Sequence, residues 1–234
     1  SKKTYKIAIR GHKPGDNYCS CPDYSINNLG TCKHIEFAVS GLLKKKGAKK
    51  AFRDGYIQQY SEIYLHYGPK REVHFKSGKN VPPEVLSLAN KYFDPNGVLK
   101  EDCILNFHQF LQGISQINGH EIRCYDDVMA YIAEYQDAEH RRKVMKSQLK
   151  GGIESPIVTT ILKTDLYPYQ REGALFAVSA GRCLIGDDMG LGKTIQALAA
   201  AELMAKLFNI QKVLIISPTS LKYQWKTEIE KFTD

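Results

Sequence analysis

DDMGLGKT, residues 187–194, is the stretch whose reading decides this chain. It stands between RCLIG (182–186), an apolar run that predicts a short buried strand, and IQALAAAELMAKLF (195–208), a run of strong helix formers. Strand, glycine-rich turn and helix are the context a phosphate-cradling loop requires, with the anion at a helix N-terminus. Gly190 and Gly192 let the backbone take positive φ, so that successive N–H groups point at phosphate oxygens. Lys193 supplies charge for the β- and γ-phosphates, and Thr194 a hydroxyl for the magnesium ion that nucleotides carry. Asp187 stands where the general motif has glycine, so the eight residues alone also suit a glycine-rich turn before a core helix.

The flanks favour the phosphate loop. LYPYQREGALFAV (166–178) precedes it, and VLIISPTSLKYQWKTEIEKF (213–232) follows, reading as a strand, a turn at Ser217-Pro218-Thr219 and a charged helix. In this order and spacing the segments resemble the superfamily 2 helicases, and more closely the Swi/Snf-type ATPases, whose phosphate loop begins with an acidic pair and reads MGLGKT. Asp188 stands where members usually have Glu.

The resemblance implies roles at matching positions. Lys193 is the catalytic candidate, and ATP with magnesium is held by Asp188, Met189, Gly190, Leu191, Gly192, Lys193 and Thr194. Gln170 falls on the Q motif, where an amide donates to and accepts from adenine, with Arg171 beside the base. Ser217 to Thr219 fall on a motif that meets the DNA backbone in relatives, and equally suit a strand-ending turn with a helix cap at Thr219 or Ser220. Trp225 reads as packing in an amphipathic helix, and Asp137 to His140 (DAEH) as a solvated helix face. The magnesium-holding acidic motif and the second lobe of this family are expected beyond Asp234, so the chain reads as part of a longer ATPase and is expected to turn over little alone.

A second signal lies near the N-terminus. Cys19-Ser20-Cys21 and Cys32-Lys33-His34 give three thiols and an imidazole in two close pairs, separated by a loop with Pro22, Asn27, Asn28 and Gly30. Four such ligands make a closed tetrahedral structural zinc site, with a disulfide or an unrelated set of buried thiols the alternative. Cys32 and His34 enter from a loop and the first turn of a helix over 35–43, and YKIAIR (5–10) reads as a strand. With that strand, C-x-C and C-x-H resemble the SWIM zinc finger of some bacterial Swi/Snf-type ATPases. The resemblance implies a ββα-like module in a reducing compartment: a bacterial cytoplasm with its nucleoid, or alternatively a nucleus. Fewer than sixty residues need such a staple. Cys103, His108, His120 and Cys124 make a poor second metal site and read as core thiols with exposed or hydrogen-bonded histidines; Cys183 reads as packing.

The section between carries no family motif. EIYLHYG and REVHFKSG suggest a hairpin turning at Gly68-Pro69; VPPEVLSLANKYF, ILNFHQFLQGI and DDVMAYIAEYQDAEHRRKVMK suggest helices, the last opening with acids and closing with bases. Lys150-Gly151-Gly152 reads as a flexible joint. The expected class is therefore α/β and α+β, multi-domain: a finger (1–50), a mixed α+β middle domain that positions it (51–155), and the first part of a RecA-like lobe (156–234).

Across 234 residues, 43% hydrophobic and 25% charged composition is ordinary for a globular chain, and no apolar run approaches membrane-spanning length. A net charge of +8 and a pI near 9.0 suit a polyanion; the resemblance implies double-stranded DNA as that partner, with a protein partner for the finger the alternative. Lys44, Lys45, Lys46, Lys49, Lys50 and Arg53 follow the finger helix, and Arg141, Arg142 and Lys143 form a second cluster. Each suits either DNA phosphates or a solvated helix end.

Overall fold

The computed structural model describes residues 4–12 and 15–233, and divides into two compact units, Ser1–Gln136 and Asp137–Asp234. In the first, β1 (Ile7–Ala8) pairs antiparallel with β2 (Tyr18–Cys19), followed by α1 (Pro22–Asn27), α2 (Lys33–Leu43) and α3 (Ala48–Asp54). The expected strand over 5–10 shrinks to two residues. The expected loop between the ligand pairs is the helix α1, started by Pro22 and ended by Asn28 at a φ of +54°.

β3 (Ser61–Tyr67) and β4 (Arg71–Lys76) form the hairpin around Gly68-Pro69, and β5 (Ile122–Cys124) adds parallel to β3, giving the order β4-β3-β5. Period-two alternation assigns its faces. Ile63, Leu65 and Val73 turn to a core with Ala89, Phe107, Phe110, Val128 and Ile132. Those residues come from α4 (Pro83–Tyr92), α5 (Phe107–Ser115) and the start of α6 (Asp126–Gln148).

The N-terminal segment packs on this sheet within the same unit. Arg10 and Glu62, both buried, pair at 2.9 Å. The Arg10 guanidinium lies between the rings of Tyr64 and Tyr125, at 4.3 and 4.5 Å. The Tyr24 hydroxyl donates to the Asn17 carbonyl at 2.8 Å and lies 3.3 Å from the Asp127 carboxylate, which accepts from Tyr67 at 3.3 Å. Gly30, at a φ of +69°, lies so close to Tyr67 that a Cβ would collide with it.

The second unit joins the end of α6 to α7 (Pro156–Thr159), α8 (Pro168–Ala180), α9 (Lys193–Phe208) and α10 (Lys222–Phe232). Its core gathers Leu149, Val158, Leu166, Ala174, Val178, Leu198, Ala199 and Leu203, with Trp225 packed against it as expected. The segment expected to be a joint is instead a hydrogen-bonded turn, in which Gly152 donates to Leu149 and Ser155 to Gly152. Two expected strands do not form. Residues 182–186 and 213–217 form no strand, and Leu184, Leu214 and Ile216 are 88%, 85% and 89% exposed. A strand needs a neighbouring backbone for its N–H and C=O groups, and neither segment has one among the described residues. Cys183 is accordingly exposed, not packed. The multi-domain α/β and α+β class holds: a sheet-and-helix first unit and a helical second unit carrying the glycine loop.

Candidate functional site

The glycine loop sits ahead of α9, as its sequence requires. Gly190 and Gly192 have φ of +87° and +79°. Gly192 is doubly constrained, because a Cβ there would also lie 2.6 Å from Gln170 Nε2. Its carbonyl accepts from Gln196 N–H at 3.1 Å, so α9 begins at the loop and its first amides face the loop's hollow. Lys193 and Thr194 occupy the first turn, while Asp188, Met189 and Leu191 are exposed. Lys193 Nζ donates to the carbonyls of Asp187 and Asp188, at 2.8 and 3.1 Å. The ammonium is thus held over the loop by backbone oxygens that a phosphate group can replace.

Gln170 is 7% exposed and spans the gap from α8 to the loop. Its Oε1 accepts from Tyr167 N–H at 3.1 Å, and its Nε2 donates to the Leu191 carbonyl at 3.1 Å and to the Tyr169 hydroxyl at 3.3 Å. Arg171 holds both oxygens of Glu154 at 3.1 Å through Nη1. In this structure both side chains expected near the base brace the protein itself. Sequence reasoning missed Gln196, which is buried and donates to the Asp187 carboxylate. The signal was present: Gln196 shares one helical face with Ala199, Ala200 and Leu203, all buried, so an amide there needed a partner. Asp187, the departure from glycine, is that partner.

At the other end, one ligand atom from each of Cys19, Cys21, Cys32 and His34 lies within 4.8 Å of the others. Cys19 comes from β2, Cys21 caps α1, Cys32 caps α2 and His34 lies in its first turn. His34 directs Nδ1 at the sulfurs of Cys19 and Cys32, 3.9 Å from each. Around a tetrahedral zinc with bonds of about 2.3 Å to sulfur and 2.0 Å to nitrogen, donor atoms lie roughly 3.5–3.8 Å apart. The donors thus need only a small contraction. Burial pushes the Cys19 thiol up to about 12. Burial also raises Cys21, but the Tyr24 N–H and the thiols of Cys32 and Cys19 outweigh it and hold Cys21 below its ordinary value. Among the described residues this is the only His, Cys, Asp or Glu group suited to a metal. Cys103 and Cys124 instead pack against the first core, and His120 meets the Ser61 hydroxyl at 2.8 Å.

The two basic clusters differ. Lys44, Lys45, Lys46, Lys49, Lys50 and Arg53 are all exposed around α3. Arg141, by contrast, is bound to Asp137 and donates to the Ser179 carbonyl, and Arg142 pairs with Glu139. The Asp137 to His140 stretch lies on α6 among these intrahelical pairs. The hydroxyls of Thr219 and Ser220 make no helix-cap bond.

Comparison with known proteins shows several related chains. The chain is 46% identical over 72 residues to the mouse DNA annealing helicase and endonuclease ZRANB3, covering 30% of this chain and 6% of that protein. It is 45% identical to a Xenopus laevis SWI/SNF-related matrix-associated actin-dependent regulator of chromatin subfamily A-like protein 1, over 64% of this chain and 19% of that one. A Drosophila persimilis DNA repair and recombination protein RAD54-like is 32% identical over 47% of this chain and 15% of its own length. The chain therefore spans less than a fifth of these relatives. No solved structure matches. Residues 63–234, well over half of the chain, match the SNF2-related domain, and the chain belongs to that family.

Proposed function

We propose that this chain is part of an ATP-dependent translocase on double-stranded DNA, of Swi/Snf type, that remodels or displaces DNA-bound proteins. The observation that carries this is the loop of Gly190 and Gly192 at positive φ, with Lys193 above it at the start of α9. The N–H groups of that turn and the α9 dipole bind phosphate oxygens, Lys193 neutralises their charge, and Thr194 offers its hydroxyl to magnesium. An arriving triphosphate takes Lys193 from the Asp187 and Asp188 carbonyls. Reading adenine with Gln170 exchanges its bonds to Leu191 and Tyr169, which would tie base recognition to loop shape. The names of the relatives, a DNA annealing helicase and a DNA repair and recombination protein, support DNA as the partner.

Cys19, Cys21, Cys32 and His34 fit a structural zinc of SWIM type, which would hold β2, α1 and α2 together. A bacterial cytoplasm is the compartment this reading favours, with a nucleus the alternative. The test is Lys193→Ala in a protein carrying this chain at the relatives' full length. DNA-stimulated ATP hydrolysis is expected to disappear with zinc content unchanged; retained hydrolysis removes the phosphate-loop assignment. A second reading, a zinc-stabilised binding module with an inert nucleotide lobe, is favoured by the exposed lysines around α3. It predicts DNA or protein binding indifferent to Lys193 and no hydrolysis in the wild type.

A further inference from the structure

A cleft of about 990 Å³ opens between two strands that each end a sheet, β1 of the finger and β5 of the middle section. Four tyrosines line it, Tyr18, Tyr56, Tyr60 and Tyr125, with Lys6 and Arg123 among them. Tyr18 and Tyr125 form a ring pair at 4.8 Å on its inner wall. Arg123 stacks its guanidinium over Tyr60 at 3.5 Å, while Glu121 holds the same guanidinium at 2.7 Å. Tyr56 is 70% exposed and Lys6 is exposed. The acid of the lining, Asp126, accepts from the Tyr18 hydroxyl at 3.4 Å.

A second cleft of about 430 Å³ shares Ile9 and Tyr56 with the first, and carries Lys45 and Lys46 on its wall. The surface is therefore continuous: exposed lysines around α3, then Tyr56, then the tyrosine-lined cleft. Phosphate-neutralising cations beside planar side chains are the chemistry of a single strand, whose bases stack while its backbone follows the charge. A duplex hides its base faces and cannot offer them to tyrosines. An apolar peptide is disfavoured by a lining that includes Lys6, Gln58, Gln59 and Arg123.

We infer that this cleft binds a single DNA strand, stacking a base on Tyr56 and taking backbone phosphate at Lys6 and the α3 lysines. The inference rests on DNA being the partner and adds a contact for an unpaired strand outside the nucleotide loop. One wall belongs to the finger, so the zinc staple would maintain the cleft's shape.

The experiment is fluorescence anisotropy of a labelled oligothymidylate of about 16 nucleotides with this chain, at two salt concentrations, alongside a labelled duplex. The wild type is expected to bind the oligothymidylate with steep salt dependence. Tyr56→Ala and Lys6→Glu are each expected to weaken it by about tenfold, with duplex affinity changing by less than about twofold. Both sites are exposed, and an unchanged zinc content verifies that the finger is folded. Lys193→Ala should bind the oligothymidylate as the wild type does, so a failed ATPase assignment and a failed cleft assignment read separately. Unchanged binding in both cleft variants overturns the inference. Equal losses for strand and duplex overturn it in favour of a duplex-binding patch, and no binding by the wild type overturns it in favour of a protein partner.

Discussion

Cys124 and Cys183 show how environment, rather than residue type, sets the behaviour of a side chain. Cys124 packs against the first core and burial pushes its thiol up to about 12, whereas Cys183 is exposed in a segment outside any helix or strand. The thiolate is the reactive form, and a pKa near 12 leaves about one part in ten thousand of it at pH 8. Iodoacetamide with mass-spectrometric mapping should label Cys183 well before Cys124. Equal rates would show that the Cys124 packing is wrong. The turn of Gly190 and Gly192 into Lys193 was legible in sequence because a glycine turn at a helix start is built from consecutive residues. The bonds of Gln170 to Leu191 and of Arg171 to Glu154 were not, since they join positions 21 and 17 apart through packing alone.

Among elements, α8 and α9 pack so closely that Gly173 leaves no room for a Cβ beside the Gln196 amide. Gly173→Ala must displace that amide and with it the bond to Asp187 under the loop. The expected cost is about 1–3 kcal/mol, the usual penalty of overpacking, with a loss of nucleotide affinity larger than the loss of stability suggests. Chemical denaturation and nucleotide titration of the variant would measure both; an unchanged midpoint contradicts the close packing. The helices were legible because an amphipathic pattern, an acidic first turn or a starting proline is local information, as in α4 and α6. Strands at 182–186 and 213–217 were over-read, since hydrophobic runs announce a wish for burial without naming the partner backbone.

For the whole molecule, the segment expected to be a finger and the middle section share one unit, sealed by Arg10 on Glu62 and by Tyr24 and Tyr67 on Asp127. The sequence divides them because the first carries a family motif and the second does not; the pairing of Arg10 with Glu62, far apart along the chain, comes from packing alone. Cys32→Ser is expected to lose the metal and to melt residues around β2, α1 and α2 first, weakening the first unit as a whole. The second unit, with its own core, should keep its helices. Hydrogen exchange read by mass spectrometry distinguishes the two: fast exchange confined to the first unit is the expected pattern, and unaltered metal content contradicts the ligand assignment.

Leu184, Leu214 and Ile216 have a practical consequence for anyone handling this chain. Each is an exposed apolar side chain in a segment whose backbone has no strand partner among the described residues, so two molecules meeting there can pair backbone to backbone, trading solvent for a shared ladder. Concentrated stocks are the ones that will gel or cloud, and mild detergent, or a charge introduced at Leu214, is the remedy the geometry recommends.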